Sequence, residues 1–388
     1  MSSGEDFLAS NIQLIGHTTE IVELPFHAPV YLPFGTIATR PSAWLQITGD
    51  VEGVQGYGAA EGTSLPMQIP MYDDYSGNLQ SNIDTLVGNL CGEETTVQAA
   101  RMAIAATDLG GNFATARMTV EAAILDMVSR ASNTTVYELL TGDRSDQPLA
   151  IPYGKSIAEA ECPKIIQAGL KAAERGAQRL KFKLSPANYE AVIEGITNLK
   201  DKIPDADFMV DANGTFDPEN QEHRTILHEV DGLKLMMIEE PVSRGGRLSG
   251  LAAHRALQQL LALETPIALD DSLSTREDAQ VALDEGLGAI LNLKPGRVGS
   301  FLDCLDMAAL AKRRGKQIMV GGMFEATPGR MMTLTLAAIC LREGFTIPGD
   351  VSLPQERLAG DITTDDQLEL DSEHNVVFRP KLGWGYGL

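Results

Sequence analysis

Short apolar runs alternate with helix-period stretches through the middle and second half of the chain. The runs are RLKFKLS, FMVDAN, LMMIEEP, PIALDDS and AILNLKPG. Each reads as a buried strand, and they recur at intervals of roughly 25–30 residues, the length of one strand–helix unit. Between them lie helical patterns such as YEAVIEGITNLKDK, EHRTILHEVDG, LAAHRALQQLLAL and REDAQVALDEG. The rhythm starts near residue 149, where LAIPYGKSI is strand-like, and continues through QIMVGGM and TPGRMMTLTLAAICLREG. Strands alternating with helices predict a parallel sheet, and seven or eight units predict a closed barrel.

The first part of the chain reads differently. ELPFHAPVYLPFG is rich in proline and aromatics, and SAWLQITGDVEGVQGYGAAEG holds two strand-like runs joined by a Gly/Asp turn. TTVQAARMAIAATDL and ATARMTVEAAILDMVSRAS have helical spacing, with Met118, Val120, Ala123, Ile124 and Met127 on one stripe. Strands followed by helices predict an α+β domain over residues 1–130, ahead of a barrel over 131–345. Residues 346–388 are turn-rich and are expected to return to the first domain.

Each barrel run stops at an ionisable group: Lys183, Asp211, Glu239, Asp270 and Lys294. Barrel enzymes keep their chemistry at the C-terminal ends of the strands. Alternation sets Lys181 and Lys183 on one face of RLKFKLS, with Leu180, Phe182 and Leu184 on the other. An isolated KFK reads as an edge strand with solvated lysines; a strand buried on both faces turns them into the barrel. By the same alternation Ile290, Asn292 and Lys294 share a face. Two same-face lysines about 6–7 Å apart are expected to repel by about 2.5 kcal/mol, which favours a neutral amine and makes Lys183 the expected general base.

Asp211, Glu239 and Asp270 end three successive strands. A lone acid at a strand end is usually a helix N-cap; three in register read as ligands converging on a cation. Oxygen-only donors suit Mg²⁺ or Mn²⁺. Glu240 and Asp271 adjoin two of these acids and leave the choice within each pair open. Asn213 faces the same mouth, and Lys294 faces Lys183 across it. A divalent cation and ammonium groups would stabilise an enolate formed by removing a proton beside a carboxylate.

The formal net charge of -22 argues against nucleic acid and anionic membrane surfaces as partners. The longest apolar runs are too short to span a membrane, MSSGEDFLASN lacks the pattern of a signal peptide, and the four cysteines show no C-x-x-C spacing. A cytoplasmic enzyme acting on a small carboxylate, and a homo-oligomer, is expected. GYGAAEG has the wrong spacing for a dinucleotide fingerprint, no G-x-S-x-G appears, and the six histidines fall outside the strand ends.

In order, KFK, DAN, IEEP, LDDS and LKPGRVGS resemble the enolase superfamily in its muconate-lactonising branch. The resemblance implies a (β/α)7β barrel with an α+β capping domain, Mg²⁺ on Asp211, Glu239 and Asp270, and Lys183 and Lys294 as an acid/base pair supported by Lys181. KPGRVGS, VGGMFE and FTIPGDVS are most similar to o-succinylbenzoate synthases and N-acylamino acid racemases. They imply substrate contacts from Arg297, Gly322, Met323 and Glu325. SLPMQIPMYDDYSG resembles the stretch that closes over substrate, to which Phe26, Tyr31 and Phe34 are candidate additions.

One departure is Ala326-Thr327-Pro328, where relatives carry a Thr/Ser–Gly pair; the proline is expected to stiffen a loop. Syn-dehydration to o-succinylbenzoate is the leading expectation, ahead of N-acylamino acid racemisation. Dipeptide epimerisation and muconate cycloisomerisation follow. A Schiff-base aldolase and a binding protein that retains the barrel are the competing classes.

Overall fold

A computed structural model describes the chain except residues 1–5, 33–34, 67–74, 145–146, 243–248, 345, 364–367 and 385–388, and at 31–32 it describes the backbone alone. Phe34, the side chain of Tyr31 and most of SLPMQIPMYDDYSG therefore lie outside the described residues.

The N-terminal sheet is antiparallel. Asn11–Leu32 pairs with Gly35–Val51 on one side and with Glu94–Thr96 on the other, and Gly35–Val51 pairs with Val54–Thr63. The hairpin turns on Glu52 (φ 51°) and Gly53 (φ 81°), both in the left-handed region that a two-residue turn of this twist demands. The first strand runs straight through the proline-rich ELPFHAPVYL, with a register shift between Pro25 and Val30 that absorbs the prolines.

The helix Ala114–Ala131 corrects the expected single stripe. It is buried almost all round because it lies between this sheet and the short helix Pro295–Val298 of the second sheet's layer. The Glu121 carboxylate accepts from the Ser300 hydroxyl at 2.7 Å, tying the two layers together.

The second sheet has eight parallel strands in sequential order. They are Gly154–Ile157, Arg179–Lys183, Asp207–Asp211, Met237–Glu239, Ile267–Leu269, Ile290–Leu293, Gln317–Val320 and Thr346–Ile347, named below first to eighth. LAIPYGKSI is therefore not one strand: Pro152 separates Leu149–Ile151, which pairs antiparallel with Val376–Phe378, from the first strand. The sheet is curled, and its two ends approach where the Gly154 amide donates to the Gly349 carbonyl, just past the eighth strand, at 2.8 Å.

Side chains alternate as predicted. Leu180, Phe182, Val210 and Ile238 pack outward under the helices, while Met209, Met237, Ala268, Ile290, Met319 and Ile347 form a separate inner cluster. This inner layer fills the sheet's hollow and forms the floor of the site.

The helix after the seventh strand, Thr327–Arg342, corrects the reading of Pro328. It stands in the first helical turn rather than in a loop, where a missing N–H costs nothing. The C-terminal segment crosses to the first sheet, with Ala359 donating to the Pro25 carbonyl at 2.8 Å and the Trp384 indole to the Ala122 carbonyl at 2.9 Å.

Candidate active site

The five strand-end groups are brought together at one end of the curled sheet. Lys183, Asp211 and Glu239 are the last residues of the second, third and fourth strands, and Lys183 pairs with Asp211 in register as Asp211 does with Glu239. Asp270 and Lys294 each follow their strand by one residue. A cavity of about 1070 Å³, its open mouth included, is lined by Lys181, Lys183, Asp211, Asp270 and Lys294. Lys183 and Lys294 stand four strands apart in an order of eight, on opposite walls.

Three carboxylates share the mouth without converging on one point. Among the described residues no three His, Cys, Asp or Glu side chains are gathered closely enough to grip an ion. Each is turned toward a cationic neighbour instead. Asp211 Oδ2 is 2.7 Å from Lys183 Nζ and 3.1 Å from Lys181 Nζ. Asp270 Oδ2 is 2.7 Å from Lys294 Nζ, and its other oxygen is paired to Arg297. Glu239 Oε1 accepts from Lys181 at 3.0 Å and from Asn292 at 2.9 Å. Its Oε2 is 2.8 Å from Lys181 Nζ but out of hydrogen-bond alignment, so no donor satisfies it.

These pairings set the proton affinities. Burial opposes ionisation of Asp211, yet Lys181 and Lys183 outweigh it and hold the carboxyl down at about 2. Asp270 is held low in the same way by Lys294 and Arg297. Burial first, and then Asp211, push Glu239 up to about 8.

Burial works against the Lys181 ammonium, but Asp211, Asp350 and Glu239 hold it well above its ordinary value. The sequence expected lysine–lysine repulsion to dominate. Asp350, 2.8 Å from Lys181 Nζ, removes that premise. Burial also opposes the Lys294 ammonium, and Asp270 raises it.

The paired acids separate by role. Glu240 faces away from the mouth, accepting the Asp270 amide at 2.7 Å and the Ser272 hydroxyl at 2.5 Å, with His254 at 3.3 Å. Asp271 stays on the cavity wall beside Asp270. Asn213 accepts from Lys183 at 2.8 Å. Glu240 (φ 38°) and Phe324 (φ 64°) carry left-handed backbone that their side chains disfavour, a strain that gathers at functional sites.

Gly322 and Met323 line the cavity, whereas Arg297 and Glu325 lie behind it. Arg297 braces Asp270 and also donates to the Leu273 carbonyl at 3.0 Å. Glu325 pairs with Arg330 at 3.0 Å.

Sequence reasoning missed Arg330, which lines the cavity, and three further groups. Arg179, fully buried, shares the parity of Lys181 and Lys183 and pairs with Asp350 at 2.5 Å; that parity was the available signal. Asp350 stood in the quoted FTIPGDVS but outside the five strand-end runs. Arg357 carried no local signal, because the tail's path alone brings it here.

Residues 165–387, more than half of the chain, match the family described as Enolase C-terminal domain-like. Residues 15–141 match the Mandelate racemase / muconate lactonizing enzyme, N-terminal domain. The chain belongs to the enolase superfamily.

Among its relatives is an N-succinylamino acid racemase of Thermus thermophilus, 29% identical over 333 residues, covering 86% of this chain and 84% of that protein. An o-succinylbenzoate synthase of Bacillus subtilis is 29% identical over 335 residues, with the same two shares. A solved enolase-superfamily member from Enterococcus faecalis V583 superposes with a TM-score of 0.79 at 26% identity, over 97% of this chain and 95% of that one. A muconate lactonizing enzyme of Pseudomonas fluorescens shares the fold at a TM-score of 0.81 and 22% identity, over 98% and 97%.

Proposed function

We propose that this superfamily member removes a proton from the carbon beside a substrate carboxylate, as an o-succinylbenzoate synthase-type dehydratase. The observation that carries the reading is the placement of Lys183 and Lys294 on opposite walls of one cavity, with Asp211 and Asp270 on its lining and Glu239 buried at the end of the strand between theirs. The names of the relatives above support the substrate class. A helix of nine or more residues lies between each of the first seven strands and the next, preceded after the sixth by the four-residue Pro295–Val298, while the eighth runs into a loop and a single 3₁₀ turn at Pro354–Glu356; this supports a (β/α)7β barrel.

The side chains are turned to their cationic neighbours rather than gathered, but the chemistry of the donor set fits a hard divalent cation. Asp211, Glu239 and Asp270 offer oxygen alone, are at most 1% exposed, and leave Glu239 Oε2 without a donor. Glu239, pushed up to about 8, is the carboxylate with the most to gain from added positive charge. Bound there, Mg²⁺ would draw charge from the substrate carboxylate and acidify the adjacent C–H.

Lys183 takes the α-proton at Nζ. The C–H electron pair becomes the new C=C as the β-hydroxyl departs. That hydroxyl takes the proton from Lys183 and leaves as water, which returns Lys183 to its starting state. Lys294 holds its ammonium toward the developing negative charge from the opposite wall. The buried floor of Met209, Met237 and Met319 keeps bulk water from beneath the reacting carbon.

A second reading, N-succinylamino acid racemisation, is favoured by the same two-walled arrangement. A proton taken on one wall and returned on the other inverts the carbon. Incubation in D₂O with a panel of N-succinylamino acids, read by NMR for loss of the α-proton signal, tests the half-reaction common to both. Production of o-succinylbenzoate from its hydroxylated precursor tests the dehydration.

A further inference from the structure

One side of the cavity carries charge that the proton transfer leaves unused. The three carboxylates and the lysines come from the second to sixth strands. Arg330 and Arg357 line the cavity from the remaining side. Arg330 Nη1 donates at 2.9 Å to the carbonyl of Asp350, which follows the eighth strand. Arg357 Nη2 donates at 3.3 Å to the carbonyl of Ser156 on the first.

The acids around Arg357 are engaged elsewhere. Asp350 is shared between Arg179 at 2.5 Å and Lys181 at 2.8 Å. Glu356 is paired to Lys155, and Glu325 to Arg330 at 3.0 Å. Among the described residues Arg357 has no carboxylate within ion-pair distance; its contacts are the Ser156 carbonyl and the ring of Phe324. Burial lowers its proton affinity, Asp350 and Glu356 offset part of that, and the like charge of Arg330 adds to it. Arg330 contributes a second unmet donor, its buried Nε.

The guanidinium is also held in place. It lies 5.2 Å over the Phe324 ring, which packs edge-on against Phe26 at 5.5 Å. The strained backbone of Phe324 (φ 64°) presents that ring. The His27 amide donates to the Arg357 carbonyl at 2.8 Å, so the N-terminal sheet fixes the segment that carries it. A stacked guanidinium with open N–H edges matches the planar fork of a carboxylate.

We propose that Arg357, with Arg330 beside it, is the group that binds the substrate carboxylate remote from the carbon that loses its proton and so selects substrates that carry it. This rests on the proton-abstraction reading above for what happens at the other end of the molecule. Arg357 is then a specificity-determining residue.

The test compares an N-succinylamino acid with the N-acetyl compound of the same amino acid, which lacks the second carboxylate. Calorimetric affinities are measured with Mg²⁺ present for the wild type, Arg357→Gln and Arg357→Lys, and α-deuterium exchange is followed in parallel. The wild type is expected to bind the succinyl compound at least about tenfold more tightly, the scale of one charge-assisted hydrogen bond. Arg357→Gln is expected to abolish that ratio while leaving the acetyl compound's affinity unchanged, and Arg357→Lys to restore part of it.

A wild-type ratio near one overturns the proposal, as does a ratio that survives Arg357→Gln. Equal loss of both ligands in Arg357→Gln also overturns it, because it marks a structural role. Absence of exchange with a retained ratio refutes the proton-transfer reading and leaves the second-carboxylate site standing. Exchange without a ratio does the reverse.

Discussion

The Glu61 carboxylate, on the last strand of the N-terminal hairpin, accepts the Gly329 amide at 2.9 Å. It also accepts the Ala326 amide at 2.9 Å, so an acid of one sheet caps the helix that starts at the cavity rim of the other. Burial pushes Glu61 up to about 7 from an ordinary 4.5, against the pull of those two amides. The folded chain therefore holds more protons than the unfolded chain between these values. The contribution of Glu61 to stability is full below about 4.5 and is lost as pH rises through about 7. Glu61→Gln is expected to remove that slope, worth at most about 3 kcal/mol. Denaturant unfolding of both proteins from pH 4.5 to 8 checks it; parallel curves would refute the assignment.

Asp350 joins the end of the sheet to its beginning. It follows the eighth strand and pairs with Arg179 and Lys181 of the second, both almost fully buried. Asp350→Asn would leave two buried cations short of an anion, so a loss of about 3 kcal/mol is expected. Chemical denaturation gives the figure. Unchanged stability would mean that Glu239 and Asp211 suffice.

Gly321 makes room for the Lys294 side chain. A Cβ there would stand 2.5 Å from Lys294 Cε and 2.4 Å from Asn292 Oδ1. Gly321→Ala is expected to displace Lys294 and to lower kcat more than it raises KM, with a retained fold by circular dichroism. A variant with wild-type kcat would place Lys294 outside the chemistry.

The two lysines are expected to be separable from folding. Lys183→Ala is predicted to slow α-deuterium exchange by about 10²–10⁴-fold, the range of general-base catalysis. Lys294→Ala should leave some exchange where dehydration operates and abolish inversion where racemisation does. Single-turnover kinetics on refolded, spectroscopically native variants provide the check.

Much of this architecture was legible because strand alternation is strict in a sheet buried on both faces. Lys181 and Lys183 fall inward and Phe182 outward for that reason alone, and Met209, Met237 and Ala268 obey the same parity. The long first strand was hidden by Pro25 and Pro29, since local propensity does not register a bulge that tolerates them. The all-round burial of Ala114–Ala131 was hidden because a stripe reports one partner and this helix has two.

At the site, residue identity and order were readable, but compensation was not. The effect of Lys181 depends on Asp350, more than 160 residues away, which pairing brings within 2.8 Å. Arg357 escaped notice for the same reason, its place being set by a tail that crosses the mouth.

Chelation tests the central claim most directly. Exchange of the substrate α-proton in D₂O is followed by NMR for the wild type, with borohydride added in parallel to trap any imine on Lys294. The account predicts that EDTA abolishes exchange, that Mg²⁺ restores it, and that borohydride leaves Lys294 unmodified. Exchange that persists in EDTA, together with a borohydride-trapped adduct on Lys294, would contradict it and assign the cavity to Schiff-base chemistry.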